Sequence, residues 1–275
     1  MIRKTLATLA VAAALTAPLR AELKYTMRME VHKSTVPPKG EPDPIMAMLS
    51  AMVANALLPS GPVEMSVLVG PKGVRTEYLQ AYTVMPAGTV TLVRTDGSMV
   101  VMNPVEKSYW KMAKPELGML LPGLTPQVTT KKTGTTAAVA GLPAEQVDIE
   151  VKIPLPAGAT ASLPAGFPTE FTLSGEMWVT TQFKDYAKLA ASAVTGVASL
   201  GLDKIVSEGL LLRSVMRGAL FGDQEVEAIV TKIAEEPAAA ALFEIPEGYK
   251  EVPPPAGIGG IGGVGHGAGG GARRE

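Results

Sequence analysis

Thr89-Val90-Thr91-Leu92-Val93-Arg94-Thr95-Asp96-Gly97-Ser98-Met99-Val100-Val101-Met102-Asn103 is the stretch on which the fold turns. Two short apolar runs flank Asp96-Gly97. Asp-Gly between two apolar runs is a strong turn signal, so the stretch predicts a β-hairpin. The same pattern extends in both directions. Val63 to Val69, Val74 to Gln80, Thr89 to Arg94, Met99 to Asn103 and Lys107 to Met112 read as strands. Pro71-Lys72-Gly73, Pro86-Ala87-Gly88 and Asn103-Pro104 separate them as turns. Strands at roughly ten-residue spacing predict an antiparallel meander. Parallel strands would need long crossover connections, and none separates these runs.

Upstream, Leu23 to Lys33 alternates cleanly. Leu23, Tyr25, Met27, Met29 and Val31 face one way, and Lys24, Thr26, Arg28, Glu30 and His32 the other. This is a strand with one buried and one wet face. Asp43-Pro44 then reads as an N-cap with Pro at the first helical position, opening a helix that ends near Leu58. Downstream, Gln127 to Thr133, Ala144 to Ile153 and Thr169 to Thr180 are predicted strands, the last with a bulge at Gly175. Leu155 to Pro168, rich in Pro, Gly and Ala, reads as a loose excursion. Phe183 to Leu200 is a predicted helix weakened by Gly196. Leu210 to Ala219 and Gln224 to Ala234 form a last pair around Gly222-Asp223, and Leu242 to Ile245 closes the domain.

The termini read differently. Met1-Ile2-Arg3-Lys4 is a cationic start, Thr5 to Ala17 is apolar, Pro18 breaks the run and Ala21 is small. Residues 1–21 are thus expected to be a cleaved secretory signal, too short for a membrane span. Residues 22–252 are expected to form a single β-rich domain. Residues 253–275, three prolines and then mostly Gly, cannot bury a core and are expected to be a disordered tail. Gly257-Ile258-Gly259-Gly260-Ile261-Gly262 in that tail matches a dinucleotide fingerprint in form only. It has neither the preceding strand nor the following helix that would put a pyrophosphate at a helix N-terminus.

The chain of 275 residues has no Cys, which removes disulfides, thiolate metal sites and thiol nucleophiles. It also removes any lipid-modified N-terminal cysteine, so the processed product is expected to be soluble and periplasmic. Its net charge is −1, and loss of Arg3, Lys4 and Arg20 with the signal takes it to −4. That balance leaves no footprint for nucleic acid or anionic lipid. The two histidines sit on a polar strand face (His32) and in the tail (His266), poor places for a triad, a zinc site or a general base. Asp148 and Glu150 share a polar strand face, where a solvated pair is the default. No cofactor is expected, and the chain reads as non-enzymatic.

Methionine is enriched, at 14 residues. Its polarizable, flexible side chain fills gaps in an aromatic-poor core, lines adaptable apolar sites, or binds cuprous copper, and the sequence admits each use. Met27 and Met29 share a strand face, and Met46, Met48 and Met52 share the helix 44–58. That helix carries no charge and must be covered on more than one side. Tyr25, Met27, Met29, Met46, Met48, Leu49, Met52 and Val53 are therefore the candidate lining of an apolar site.

A set of short motifs in fixed order carries a family resemblance. It runs Gly73-Val74-Arg75-Thr76-Glu77, Leu92 to Gly97, Val100 to Pro104, Glu106-Lys107-Ser108-Tyr109 and Lys132-Thr133-Gly134. Ala140-Gly141-Leu142-Pro143-Ala144-Glu145-Gln146-Val147, Gly175-Glu176-Met177-Trp178-Val179 and Leu242 to Lys250 complete it. Over most of residues 22–252 the chain resembles a bacterial exported family filed as domain of unknown function 4412, related to the LolA-like periplasmic lipoprotein carriers. The resemblance implies an α+β, mostly β fold. Its curved antiparallel sheet would form an incomplete barrel with helices in or over the concave face. No carrier motif aligns residue by residue, so no functional residue is carried over. Two functions follow from different classes. One is a binding protein holding a lipid or other apolar ligand in the concavity, and the other is a structural or interaction protein of the cell envelope with a closed core. Processing is directly testable. Intact mass of the exported protein should place its N-terminus at Glu22, and Met1 retained in a membrane fraction would refute it.

Overall fold

The computed structural model describes residues 21–34, 44, 47–48, 50–51, 58–82, 85–113, 126–155, 168–193, 205, 208–222 and 224–254. The chain begins with β1 (Ala21–Lys33), followed by the meander β2 (Val63–Gly70), β3 (Gly73–Tyr78), β4 (Val90–Arg94), β5 (Ser98–Asn103) and β6 (Ser108–Ala113). The long strands β7 (Gln127–Val139), β8 (Leu142–Pro154) and β9 (Glu170–Thr180) precede the helix α1 (Lys184–Ala193). β10 (Leu210–Gly218), β11 (Gln224–Pro237) and the short β12 (Lys250–Glu251) complete the order. The twelve strands among the described residues form one sheet, in the order β12-β6-β5-β4-β3-β2-β1-β11-β10-β9-β8-β7. Its ends, β7 and β12, do not pair with each other, so the barrel is incomplete and the fold is α+β, mostly β.

The curvature follows from packing. α1 packs against β2, β3 and β10, with Ala187 and Ala190 in one buried cluster with Val74 of β3 and Leu210 and Leu212 of β10. β3 and β10 stand four places apart, about 19 Å in a flat sheet. A ten-residue helix is about 15 Å long. One such helix can join both sides only if the sheet bends around it. Leu23, Val69 and Val74 sit directly beneath α1 at 0–1% exposure. The sequence builds this face by alternation. On β8, Val147, Ile149, Val151 and Ile153 are buried at 0–4%, and Asp148 and Glu150 between them are exposed. Each such side chain contributes about 1.5–3 kcal/mol by leaving water. They form a second inward cluster with Phe171, Leu173, Met177, Ile205 and Phe221, against which Leu58 packs.

The convex face of the meander is covered too. Val90, Leu92, Val100 and Met102 are buried there under Ile245 and Tyr249 of the C-terminal strap. Phe243 of the same strap is 4% exposed. Lys72 meets Glu244 at 2.7 Å, and Glu251 takes Lys111 at 2.9 Å and the Tyr109 hydroxyl at 3.0 Å. These partners hold both carboxylates below the ordinary range, by hydrogen bond first. The pairs are exposed and add little, so apolar contact fixes the strap.

Two expectations need correction. The sheet is not wholly antiparallel, because β12 pairs parallel with Ser108 and Tyr109 on β6. The strap returns from the far side of the sheet, so it enters in that direction. Gly175 is not a bulge, since its register is continuous with both β8 and β10. A Cβ there would lie 2.1 Å from the Val215 carbonyl oxygen, so the position is glycine because two backbones approach closely. The irregularities fall instead at Thr26/Met27, Lys132/Thr136 and Leu211/Arg213. Residues 1–20 of the expected signal, residues 194–200 of the second predicted helix and the tail beyond residue 254 lie outside the described residues, while Ala21 is the first residue of β1. Pro44, Ala47, Met48, Ser50 and Ala51 are helical, within the first predicted helix.

The strap and the tail should therefore behave oppositely. Removing Pro253–Glu275 is expected to leave the melting temperature unchanged, while Phe243→Ala should cost about 3–5 kcal/mol. Thermal and denaturant unfolding of the two variants measures both.

Candidate functional site

The inward face of β1 sets the site. Leu23 and Tyr25 lie under α1, with Tyr25 8% exposed. Further along the strand, Met27, Met29 and Val31 are only half-buried. Antiparallel register places their neighbours. Met27 opposes Met65 on β2 and Val230 on β11, and Met65 opposes Tyr78 on β3. Met29 opposes Val63 and Ala228, and that row continues through Ser214 and Met177 to Val147. Met27, Met29, Met65 and Met177 thus occupy two adjacent rows of the concave face. β1 runs past the last residue of β2 it pairs with, and Leu58–Pro62 lies beside the overhang. A cavity of 490 Å³ opens there, bounded by Glu30, Val31, His32, Leu58–Pro62 and Gln224.

The other expected lining residues divide. Met48 is 70% exposed, on the surface. Met46, Leu49, Met52 and Val53 lie outside the described residues. Ser50 sits beside the Gly222 turn between β10 and β11, where an added Cβ would come 3.2 Å from its hydroxyl oxygen. Met65 and Met177 were not singled out from sequence. Their inward direction could be read from alternation, but their meeting with Met27 and Met29 depends on strand order.

The opposite face of β1 is polar and paired. Glu30 takes Arg28, His32 contacts Glu30 at 3.4 Å and Glu227 at 3.2 Å, and Arg213 binds Glu227 at 2.6 Å. The Ser34 hydroxyl donates to Glu225 at 2.6 Å. On β8 and β9, the Gln146 amide donates to Asp148 at 3.2 Å and Glu176 at 2.9 Å. Asp148 and Glu150 remain exposed. Among the described residues, no three His, Asp or Glu side chains gather as metal ligands, and no helix is long and apolar enough to cross a membrane.

No family model and no curated protein matches the chain. Solved structures do. PNGF-II, in a C2 crystal form, aligns with 84% of the chain at 11% identity and a TM-score of 0.37, and the chain spans 30% of that protein's length. The lipoprotein LppX of Mycobacterium tuberculosis aligns over 87% of the chain and 99% of its own, at 14% identity and a TM-score of 0.30. A LolA superfamily protein from Nitrosomonas europaea aligns over 86% and 96%, at 8% identity and a TM-score of 0.30. These likenesses are distant, and every role assigned to a residue follows from this chain's own geometry.

Aromatic side chains mark the far rim of the methionine rows. Tyr78 and Tyr82 stack with centroids 5.7 Å apart and rings 4° from parallel. Burial, then the neighbouring Tyr82, pushes the Tyr78 phenol up to about 12, with Thr91 opposing the rise. Burial pushes Tyr25 higher still, and raises Tyr82. A phenol whose folded pKa is raised gives its full stabilisation below the unfolded value, about 10, and loses it as pH rises through the folded one. Stability should thus fall between about pH 10 and pH 12. Tyr78→Phe should flatten that fall and remove one late phenolate signal in an ultraviolet titration. An unchanged titration would contradict the burial.

Proposed function

We propose that this chain is a non-enzymatic exported protein of the periplasm that holds a lipid or other apolar ligand against its concave face. The family resemblance to domain of unknown function 4412 belongs to the same proposal. The observation that carries it is the half-burial of Met27, Met29 and Val31. Their neighbours Val63, Met65, Met177 and Val147 are 2–6% exposed. Tyr78, Ser214 and Ala228 on the same rows are half-buried too, and Val31 borders the 490 Å³ cavity. An acyl chain laid there gains about 0.8 kcal/mol per buried methylene, before the cost of association. Methionine suits such a surface, since it adapts to apolar partners of varied shape.

The closed floor beneath α1 favours the second reading, an interaction protein of the envelope with no ligand. Leu23, Tyr25, Val67 and Val69 are 0–8% exposed and leave no room there. A fluorescent fatty-acyl probe separates the two. The wild-type chain should take up the probe, and Met29→Asp should weaken uptake at least tenfold with the fold retained, because Met29 is half-buried and a charge there keeps access to water. Absence of uptake, together with organic extracts free of lipid, would leave the interaction protein as the better account.

A further inference from the structure

β1 outruns its neighbour on one side only. It pairs with β11 as far as Lys33, opposite Gln224, but with β2 only as far as Met29, opposite Val63. The alternation of the backbone shows which groups are left over. Just past β3, Leu79 N donates to the Glu64 carbonyl at 2.9 Å. Glu64 therefore turns its main-chain polar groups toward β3, and Val63 turns its own toward β1. Met29 exchanges hydrogen bonds with Val63, and Val31 and Lys33 face the same way further along the strand. Among the described residues, no strand lies opposite them on that side. The register would bring Gly61 to Val31 and Pro59 to Lys33. Instead the chain bends at Leu58, Ser60 and Gly61, and Pro59 has no N–H to give. The 490 Å³ cavity occupies this notch, with Val31 and Leu58–Pro62 among its walls.

Unpaired N–H and C=O groups along a strand are a template for another extended chain. The chemistry of the occupant is constrained. Val31 and Lys33 each present one donor and one acceptor, repeated about 7 Å apart. An acyl chain offers neither and an ester has no donor, whereas an extended main chain repeats both at that spacing. The walls also select side chains. A residue paired with Val31 turns its side chain inward with it, toward Leu58, which packs on the inward apolar cluster. The residues before and after it turn outward, on the polar face that carries Glu30 and His32. Since β1 ends at Lys33, the notch has length for about three paired residues. We infer that it receives a short extended segment of a partner protein, polar, apolar and polar in sequence, antiparallel to β1 and in line with β2. The inference does not depend on an acyl ligand.

Nuclear magnetic resonance of the full-length, isotope-labelled protein with the capped peptide acetyl-Lys-Thr-Val-Thr-Lys-amide tests this. In the free protein the Val31 amide should exchange with solvent at least tenfold faster than those of Met29 and Glu30, which have ladder partners. The peptide should shift the Val31 and Lys33 amide signals saturably and slow exchange at Val31. Methylating the backbone nitrogen of the peptide's valine removes the donor for the Val31 carbonyl. Affinity should then fall about tenfold, the range of one lost hydrogen bond with an acceptor left unpaired. Val31→Pro removes the protein's own donor. Proline is tolerated where its missing N–H faces no partner, so the fold should survive and affinity, read at Lys33, should fall by a similar factor. The methylated peptide carries the test if that variant does not fold. A Val31 amide already protected in the free protein would show that the chain itself fills the notch, and would overturn the inference. So would a peptide that shifts neither signal at millimolar concentration, or an affinity indifferent to both changes.

Discussion

The packing of α1 into the sheet is the constraint from which the rest follows. A curved sheet has a concave face that water must not fill, and only side chains, a helix or a ligand can occupy it. Ala187 and Ala190 let the helix approach closely, and Leu23, Val67, Val69 and Leu212 complete the contact. Small residues on the helix and branched ones on the strands are the combination that lets one short element bind both flanks. Along the second half of β1 the inward side chains Met27, Met29 and Val31 are only half-buried, and that half-burial marks the candidate site.

The sheet's open ends are handled by different means. At the β6 end the chain's own strap lies along the edge and over the convex apolar patch. At the β7 end the strand is exposed over nearly its full length, with Lys131 and Lys132 on it and a register shift before Thr136 where Gly134 adopts a positive φ of 76°. Charge and irregularity along an unpaired edge discourage a second chain from adding to it. The two devices differ because one edge adjoins an apolar patch and the other does not.

Local structure was legible in the sequence, and long-range structure was not. Asp96-Gly97 fixed a hairpin because its turn chemistry is local, and the alternation of β1 and β8 showed which residues face inward. Strand order is different. Nothing near Met27 says that its neighbours are Met65 and Val230, and a register shift beside it resets which residues oppose each other. The candidate lining was thus read from two segments, while the structure adds Met65 and Met177 from strands distant in sequence. Gly175 shows the same limit, because a bulge and a close backbone approach leave one sequence mark.

The place of β1 carries a kinetic consequence. It lies in the middle of the sheet, between β2 and β11, and its first residue opposes Pro237. β1, the earliest strand among the described residues, must therefore wait for Gln224–Pro237 before its second edge is paired. Closing a loop of that length slows folding, and until then β1 offers an open apolar edge. The meander from β2 to β6 can form early from neighbouring hairpins. The chain as a whole cannot lock until Gln224–Pro237 has arrived, which keeps it unfolded for most of the time it takes to emerge.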